Sequence, residues 1–166
     1  MLKKILYATI PLSIMIILFI FSSQPYQEQD LRPTLSQYLP LETIEPLLQP
    51  IQFTYHHKVV SIETHGVDGM IEFFIRKGAH FSIYSLLMWT TYLALRQFFR
   101  KTVWQLLGTA FLITVSYAGF DEFHQSLTPN RTPYIGDVFL DSIGALTAGV
   151  LISLFYIGKR YRKPSG

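Results

Sequence analysis

The chain has no cysteine among its 166 residues. It therefore has no disulfide, no thiolate metal site and no cysteine-linked lipid anchor. Charge is scarce as well: 15% of the residues are Asp, Glu, Lys or Arg, against about 25% in an average soluble domain. There is no phosphate-binding glycine loop, no nucleophile elbow and no His-Glu-x-x-His spacing. No internal repeat and no low-complexity tract interrupts the chain.

What is present is apolar and comes in blocks. Residues 5–21, 78–95, 102–120 and 142–158 carry no Asp, Glu, Lys or Arg. Each block approaches the roughly 20 residues a helix needs to cross hydrocarbon. Open sheet or irregular backbone would face lipid with unpaired amides, so helices are the reading. The pattern predicts an all-α membrane protein, a single domain over 1–166 with four transmembrane helices in an antiparallel bundle. The helices are expected near 5–21, 77–96, 102–121 and 137–158. Residues 1–23 have signal-peptide form, but Phe21-Ser22-Ser23-Gln24 is a poor cleavage site, so the segment reads as a retained signal anchor.

Basic residues set the orientation. Lys3 and Lys4, then Arg96, Arg100 and Lys101, then Lys159, Arg160, Arg162 and Lys163 form three clusters on one side of a four-span chain, nine of 14 in all. The positive-inside rule assigns that side, with both termini, to the cytoplasm. The 11 acids and five histidines fall in the outer segments or at outer helix ends. The expected location is the bacterial cytoplasmic membrane. Anionic membrane lipids suffice as partners for the basic face, and no nucleic acid is needed.

Between the first two spans lies a long loop, 22–67, expected to be mostly irregular. Prolines 25, 33, 40, 46 and 50 divide its first half. Leu31 to Leu48 has room for one or two short helices. Ile51, Phe53 and Tyr55, then Val60 and Ile62, alternate with polar residues around His56-His57, which is compatible with a small hairpin. Gly66 and Gly69 punctuate the approach to the second span, and Met70 to Lys77 is amphipathic and continues into it.

Alternating spans bring four polar helix ends to one surface. Ser22, Ser23 and Gln24 end the first. Lys77, His80 and Tyr84 share one face of the second. Asp121, His124 and Gln125 share a face of the third, with Glu122 beside them. Asp137 and Asp141 lie four apart on the fourth, followed by Gly144 and Ala148, small residues that permit close packing. Ionisable groups inside spans are costly and normally pair in the bundle interior. His80 and Asp141 are expected to face each other in an outward-opening pocket. Simpler readings exist for single members: Asp137 as a helix cap, Lys77 as a snorkelling side chain, the serines as interfacial residues. His56, His57 and His65 read as surface residues.

At these residues the sequence resembles the VanZ-like family of bacterial membrane proteins. The matching pieces are Phe21-Ser22-Ser23-Gln24-Pro25, Arg76-Lys77-Gly78-Ala79-His80-Phe81 with Tyr84, Asp121-Glu122-Phe123-His124-Gln125, Pro129-Asn130-Arg131, and Asp137 with Asp141, Gly144 and Ala148. The family usually has Asn at the place of Asp141, Gly at that of Ala148, and often Gly at that of Asn130. Its namesake is associated with low-level teicoplanin resistance in Gram-positive bacteria, so the resemblance implies a cell-envelope role at the outer leaflet.

Two functions compete. In the first, the pocket binds an outer-leaflet lipid or lipid-linked cell-wall precursor headgroup and alters glycopeptide susceptibility, with Lys77 and Arg131 on a phosphate or carboxylate and Tyr84 and Gln125 donating hydrogen bonds. Asp137 and Asp141 complete that ligand-binding set. In the second, the protein is a membrane enzyme: His80 and His124 exchange protons, while Asp121 and Glu122 orient them or polarise water. Two histidines among carboxylates are also compatible with zinc or manganese, but no ligand spacing specifies a metal. A transporter is disfavoured by four short spans without repeat halves.

Overall fold

The computed structural model describes residues 2–161, so Arg162 and Lys163 of the third basic cluster lie outside the described residues. Within it, four long helices lie against one another: α1 (Leu2–Ser22), α4 (Ile62–Phe98), α5 (Val103–Ser126) and α6 (Ile135–Tyr161). Two shorter helices, α2 (Arg32–Tyr38) and α3 (Leu41–Leu48), fall between α1 and α4.

Three of the four long helices, α1, α5 and α6, are long and apolar enough to cross a membrane. The expected fourth, α4, falls short of that standard. Its uncharged stretch contains His80, Ser82, Tyr84, Ser85, Thr90, Thr91 and Tyr92, which dilute the apolar content. Packing explains why this is tolerated. α4 touches α1, α5 and α6, and Tyr84, Thr90, Thr91 and Tyr92 are all buried. Thr90 returns its hydroxyl proton to the carbonyls of Leu86 and Leu87 at 2.9 and 3.1 Å. A helix enclosed by its neighbours does not need a hydrocarbon-like surface all round.

The other three show the complementary pattern. On α1 the buried residues are Pro11, Ile14, Leu18 and Ser22, a narrow stripe at helical spacing. Large apolar side chains elsewhere point outward, among them Leu112 on α5 and Phe155 on α6. That surface would be a liability in water and suits contact with lipid.

Two of the long helices begin at side-chain caps. At α5 the Thr102 hydroxyl accepts from the Gln105 amide at 3.3 Å, and the Gln105 side chain accepts from the Thr102 N–H at 3.2 Å, a reciprocal cap. At α4 the Ser61 N–H donates to the Thr64 hydroxyl at 3.2 Å. Gly66 then breaks the regular dihedrals with φ +73°, a conformation open to glycine at little cost. The helix runs on from there through Lys77 to Phe98, longer than the span expected from residue 77.

The predicted loop 22–67 is largely folded rather than mostly irregular. After a 3-10 turn at Tyr26–Gln29 come α2, α3 and a hairpin of β1 (Phe53–Tyr55) and β2 (Lys58–Val60), with Phe53 opposite Val60 and Tyr55 opposite Lys58. His56 and His57 turn the hairpin with φ of 50° and 58°, in the left-handed region that histidine visits more readily than most residues. Ile62, read as strand-like in the sequence, opens α4 instead. The loop folds because α2, α3 and β2 all pack on α4.

The α4–α6 contact is the most extensive between helices. A Cβ placed on Gly144 would lie 2.4 Å from the Phe81 carbonyl oxygen. Ser85 bridges the two backbones, its hydroxyl 2.7 Å from the Phe81 oxygen and 2.8 Å from that of Gly144. Ala145 and Ala148 continue the seam, both buried. Gly144→Val should force the helices apart and destabilise the protein by about 1–3 kcal/mol, the usual range for overpacking. A thermal melt in detergent checks this; an unchanged midpoint would mean the seam is not tight.

Candidate functional site

The helices meet the folded loop at the end where α1 stops and α5 passes to α6. A cavity of about 360 Å³ opens there. α4 supplies its longest wall, because Glu72, Arg76, Lys77 and His80 recur at three- and four-residue spacing along one face. Gln125 enters from α5, Asp137 from α6, and Arg131 and Tyr134 from the connection between them. The folded loop closes the rest with Tyr26, Arg32, Tyr55 and His56.

Two clamps hold the loop to the helices. In the first, Glu72, only 3% exposed, accepts from the Tyr26 hydroxyl at 2.9 Å and from Arg76, with Arg32 3.6 Å away. Arg76 also stacks its guanidinium 4.5 Å from the Tyr26 ring centre. Burial and the Glu72 carboxylate push the Tyr26 phenol above its ordinary range, so it stays a donor. Arg32 is tied on its other side to Asp30 at 2.6 Å, which holds that carboxyl down at about 2. In the second clamp, Asp137 accepts from both Lys77 and the Tyr55 hydroxyl, and the Lys77 ammonium sits 4.7 Å from the Tyr55 ring centre. Burial and Asp137 raise the Tyr55 phenol well above its ordinary value, keeping it protonated.

Arg131 is placed differently. Its guanidinium donates to the Gln24 carbonyl at 3.1 Å, to the Phe21 carbonyl at 3.3 Å and to the Gln29 side-chain oxygen. These oxygens cluster at the C-terminal end of α1, where a cation complements the helix dipole. All three are neutral. Arg32, Arg76 and Lys77 each pair with a carboxylate, whereas Arg131 has no such pair among the described residues. It is half-buried, and that burial lowers its pKa from the ordinary value. Four cations and two carboxylates line the cavity, 4 − 2 = +2. Asp30, outside the lining, offsets Arg32, while Asp121 and Glu122 lie near enough to Arg131 for their charges to act on it without touching it.

Beneath the cavity floor lies a second polar group. Nδ1 of His80 is 3.4 Å from Oδ1 of Asp141. Both atoms are buried and lack a partner with hydrogen-bond geometry, as do the Tyr84 hydroxyl and Oδ1 of Asp121. Gln125 donates to the other Asp121 oxygen at 3.1 Å. Asp121 and Asp141 both lie near enough to Tyr84 for their charges to act on its hydroxyl. The four fall into two neighbouring pairs, His80 with Asp141 and Tyr84 with Asp121, so the layer beneath the cavity is polar.

Lys77, His80, Gln125, Arg131 and Asp137 therefore line the cavity, and Tyr84, Asp121 and Asp141 lie below it. Glu122 and His124 are turned elsewhere. Glu122 accepts from the Tyr134 N–H and pins the α5–α6 connection. His124 sits against α1: its Nδ1 is 2.7 Å from the Ser22 hydroxyl, and its ring stacks on Phe19 at 4.1 Å. The Ser22 hydroxyl lies 3.0 Å from the Phe19 carbonyl as well. Ser22 is itself buried, so this pair ties α1 to α5 rather than serving the cavity. Among the described residues no three His, Asp or Glu side chains are grouped as metal ligands would be.

Sequence reasoning missed Tyr26, Arg32, Tyr55, Glu72, Arg76 and Tyr134. It also read His56 as a surface residue; His56 lines the cavity and stacks on Tyr134 at 4.5 Å. Two signals were available: the alternation through Tyr55, and the four-residue spacing from Glu72 to Arg76 on the face that continues to His80.

This arrangement agrees with the comparison of the chain with known families. The family model described as VanZ/LLP1 matches residues 7–156. No curated protein matches the chain, and no solved structure does. With most of its length matched and three helices apolar enough to cross a membrane, the chain belongs to the VanZ/LLP1 family of membrane proteins.

Proposed function

We propose that the cavity faces the outside of the bacterial cytoplasmic membrane and binds the anionic headgroup of an outer-leaflet lipid or lipid-linked cell-wall precursor, thereby affecting glycopeptide susceptibility of the teicoplanin type. The observation that carries this is Arg131, a half-buried cation on the cavity wall with only neutral partners. A charge partly withdrawn from water with no carboxylate in contact is expensive, and a phosphate or carboxylate of a ligand would supply that contact.

In this reading α4 is a fourth crossing, the long helices form an antiparallel bundle, and both termini are cytoplasmic. The distribution of basic residues supports it. Because the chain has no cysteine, single introduced cysteines report cleanly. An impermeant maleimide should label Gln49→Cys in intact cells and spare Lys101→Cys. Labelling of Lys101→Cys without lysis would reverse the topology.

Expression in a susceptible host should raise the inhibitory concentration of teicoplanin, and Lys77→Met should reduce that effect at equal membrane abundance. No change on expressing the wild type would remove the resistance part of the reading. An enzymatic role is favoured by one feature, the pairing of His80 with Asp141 at the cavity floor.

A further inference from the structure

The imidazole of His80 has two unlike nitrogens. Nδ1 is buried and faces Oδ1 of Asp141 at 3.4 Å. The side chain keeps 24% of its surface exposed, and it borders the cavity. Nε2 makes no hydrogen bond to the protein and is not among the buried orphan atoms. A carboxylate facing Nδ1 favours the tautomer with the proton there, which leaves the Nε2 lone pair open toward the cavity. The same logic orients imidazole bases in hydrolases generally.

A base needs a water to act on. The cavity that His80 borders is roomy enough for water beside a headgroup and is lined by polar side chains. A phosphate on Arg131 would then have cations on the cavity side and an oriented imidazole beneath. With the carboxylates of Asp121 and Asp141 beneath the floor, the single negative charge of a phosphodiester meets less repulsion than the dianion of a phosphomonoester.

We propose that the cavity floor is a hydrolytic centre for the phosphodiester of a bound lipid headgroup, with His80 as general base and Asp141 as its positioning residue. The proposal rests on the headgroup-binding reading. The oxygen of a water in the cavity, against Nε2 of His80, bonds to phosphorus. The phosphorus–oxygen bond to the headgroup alcohol breaks on the opposite side, toward the cavity mouth. The water's proton passes to Nε2 of His80 and is then released to solvent. The departing alkoxide takes a proton from solvent at the mouth. The products are a lipid phosphomonoester and a free alcohol, and no oxidant or second substrate is needed. Lys77 and Arg131 stabilise the charge on the non-bridging oxygens.

The test uses the full chain in nanodiscs of phosphatidylglycerol and phosphatidylcholine, in water enriched in oxygen-18. Lipid mass spectrometry reads phosphatidic acid, and native mass spectrometry reads retained phosphatidylglycerol. The wild type should form phosphatidic acid carrying one oxygen-18. His80→Gln should lose about a hundredfold or more of that rate, the usual size of general-base catalysis, while still retaining phosphatidylglycerol. Asp141→Asn should lower kcat with KM unchanged, and a thermal melt confirms that both variants are folded. Bound phosphatidylglycerol without phosphatidic acid would overturn the hydrolytic proposal and leave headgroup binding standing. Equal rates in wild type and His80→Gln would overturn the role of His80. Failure to retain phosphatidylglycerol at all would overturn both readings.

Discussion

Arg131→Ala is expected to weaken binding of an anionic headgroup roughly ten- to a hundredfold, the loss of one charge-assisted hydrogen bond. It should also lower membrane abundance, because the same guanidinium holds the carbonyls of Phe21 and Gln24 and the side chain of Gln29. These two effects have different chemical requirements. The tie to α1 needs several N–H donors in a planar fork. Headgroup binding needs the charge and gains further from the fork, which grips phosphate bidentately where lysine acts as a point charge. Arg131→Lys keeps the charge and loses the fork. It should recover part of the affinity lost in Arg131→Ala while leaving α1 less firmly held. Binding measured on equal amounts of folded protein, with abundance scored separately, distinguishes the contributions. Wild-type affinity in Arg131→Ala would mean that the cation serves only the end of α1.

The second large effect is expected at Glu72. Its carboxylate is almost wholly buried and receives Tyr26 and Arg76, with Arg32 nearby. Glu72→Ala would strand the guanidinium of Arg76 and remove the acceptor for Tyr26. Removing one partner of a buried ion pair typically costs about 3–5 kcal/mol. The lower end applies here, since Arg76 retains some solvent contact and Arg32 keeps Asp30. The damage should be local first, freeing the segment around Tyr26 and α2 from α4. Hydrogen exchange would show it as faster exchange in residues 26–38 of the variant than of the wild type. Glu72→Gln should be milder, because its side-chain oxygen can still accept from Tyr26. Equal exchange in wild type and Glu72→Ala would show that the loop is held by other contacts.

How much of this was legible in the sequence follows from the range of each interaction. Helical period alone placed Lys77, His80 and Tyr84 on one face, and Asp137 with Asp141 on another. The structure brings His80 to Asp141 and Lys77 to Asp137. The close approach at Gly144 was also readable, because Gly144 and Ala148 are small residues on one face that leave room for a neighbouring helix. His124 shows the limit of the period. Four residues advance a helix by about 40° past a full turn, and three fall about 60° short. Gln125 thus stays beside Asp121, while His124 rotates toward α1 and Ser22.

The loop was less legible, for a different reason. Tyr26 meets Glu72, and Tyr55 meets Asp137, across 46 and 82 residues. Such pairings depend on where α2, α3 and the hairpin dock, which no local pattern encodes. Prolines at 25, 33, 40, 46 and 50 suggested an irregular chain. In the structure Pro33 lies near the start of α2 and Pro40 just precedes α3, where a fixed φ suits a helix start. The expectation for α4 failed in yet another way: its polar residues face other helices, so apolar content alone understates how deeply it is enclosed.

The most direct test of headgroup binding is native mass spectrometry of the protein from nanodiscs holding equal phosphatidylglycerol and phosphatidylcholine. The wild type should retain the anionic lipid in preference, and Arg131→Ala should lose that preference while remaining folded. Equal retention of the two lipids by the wild type would contradict the account.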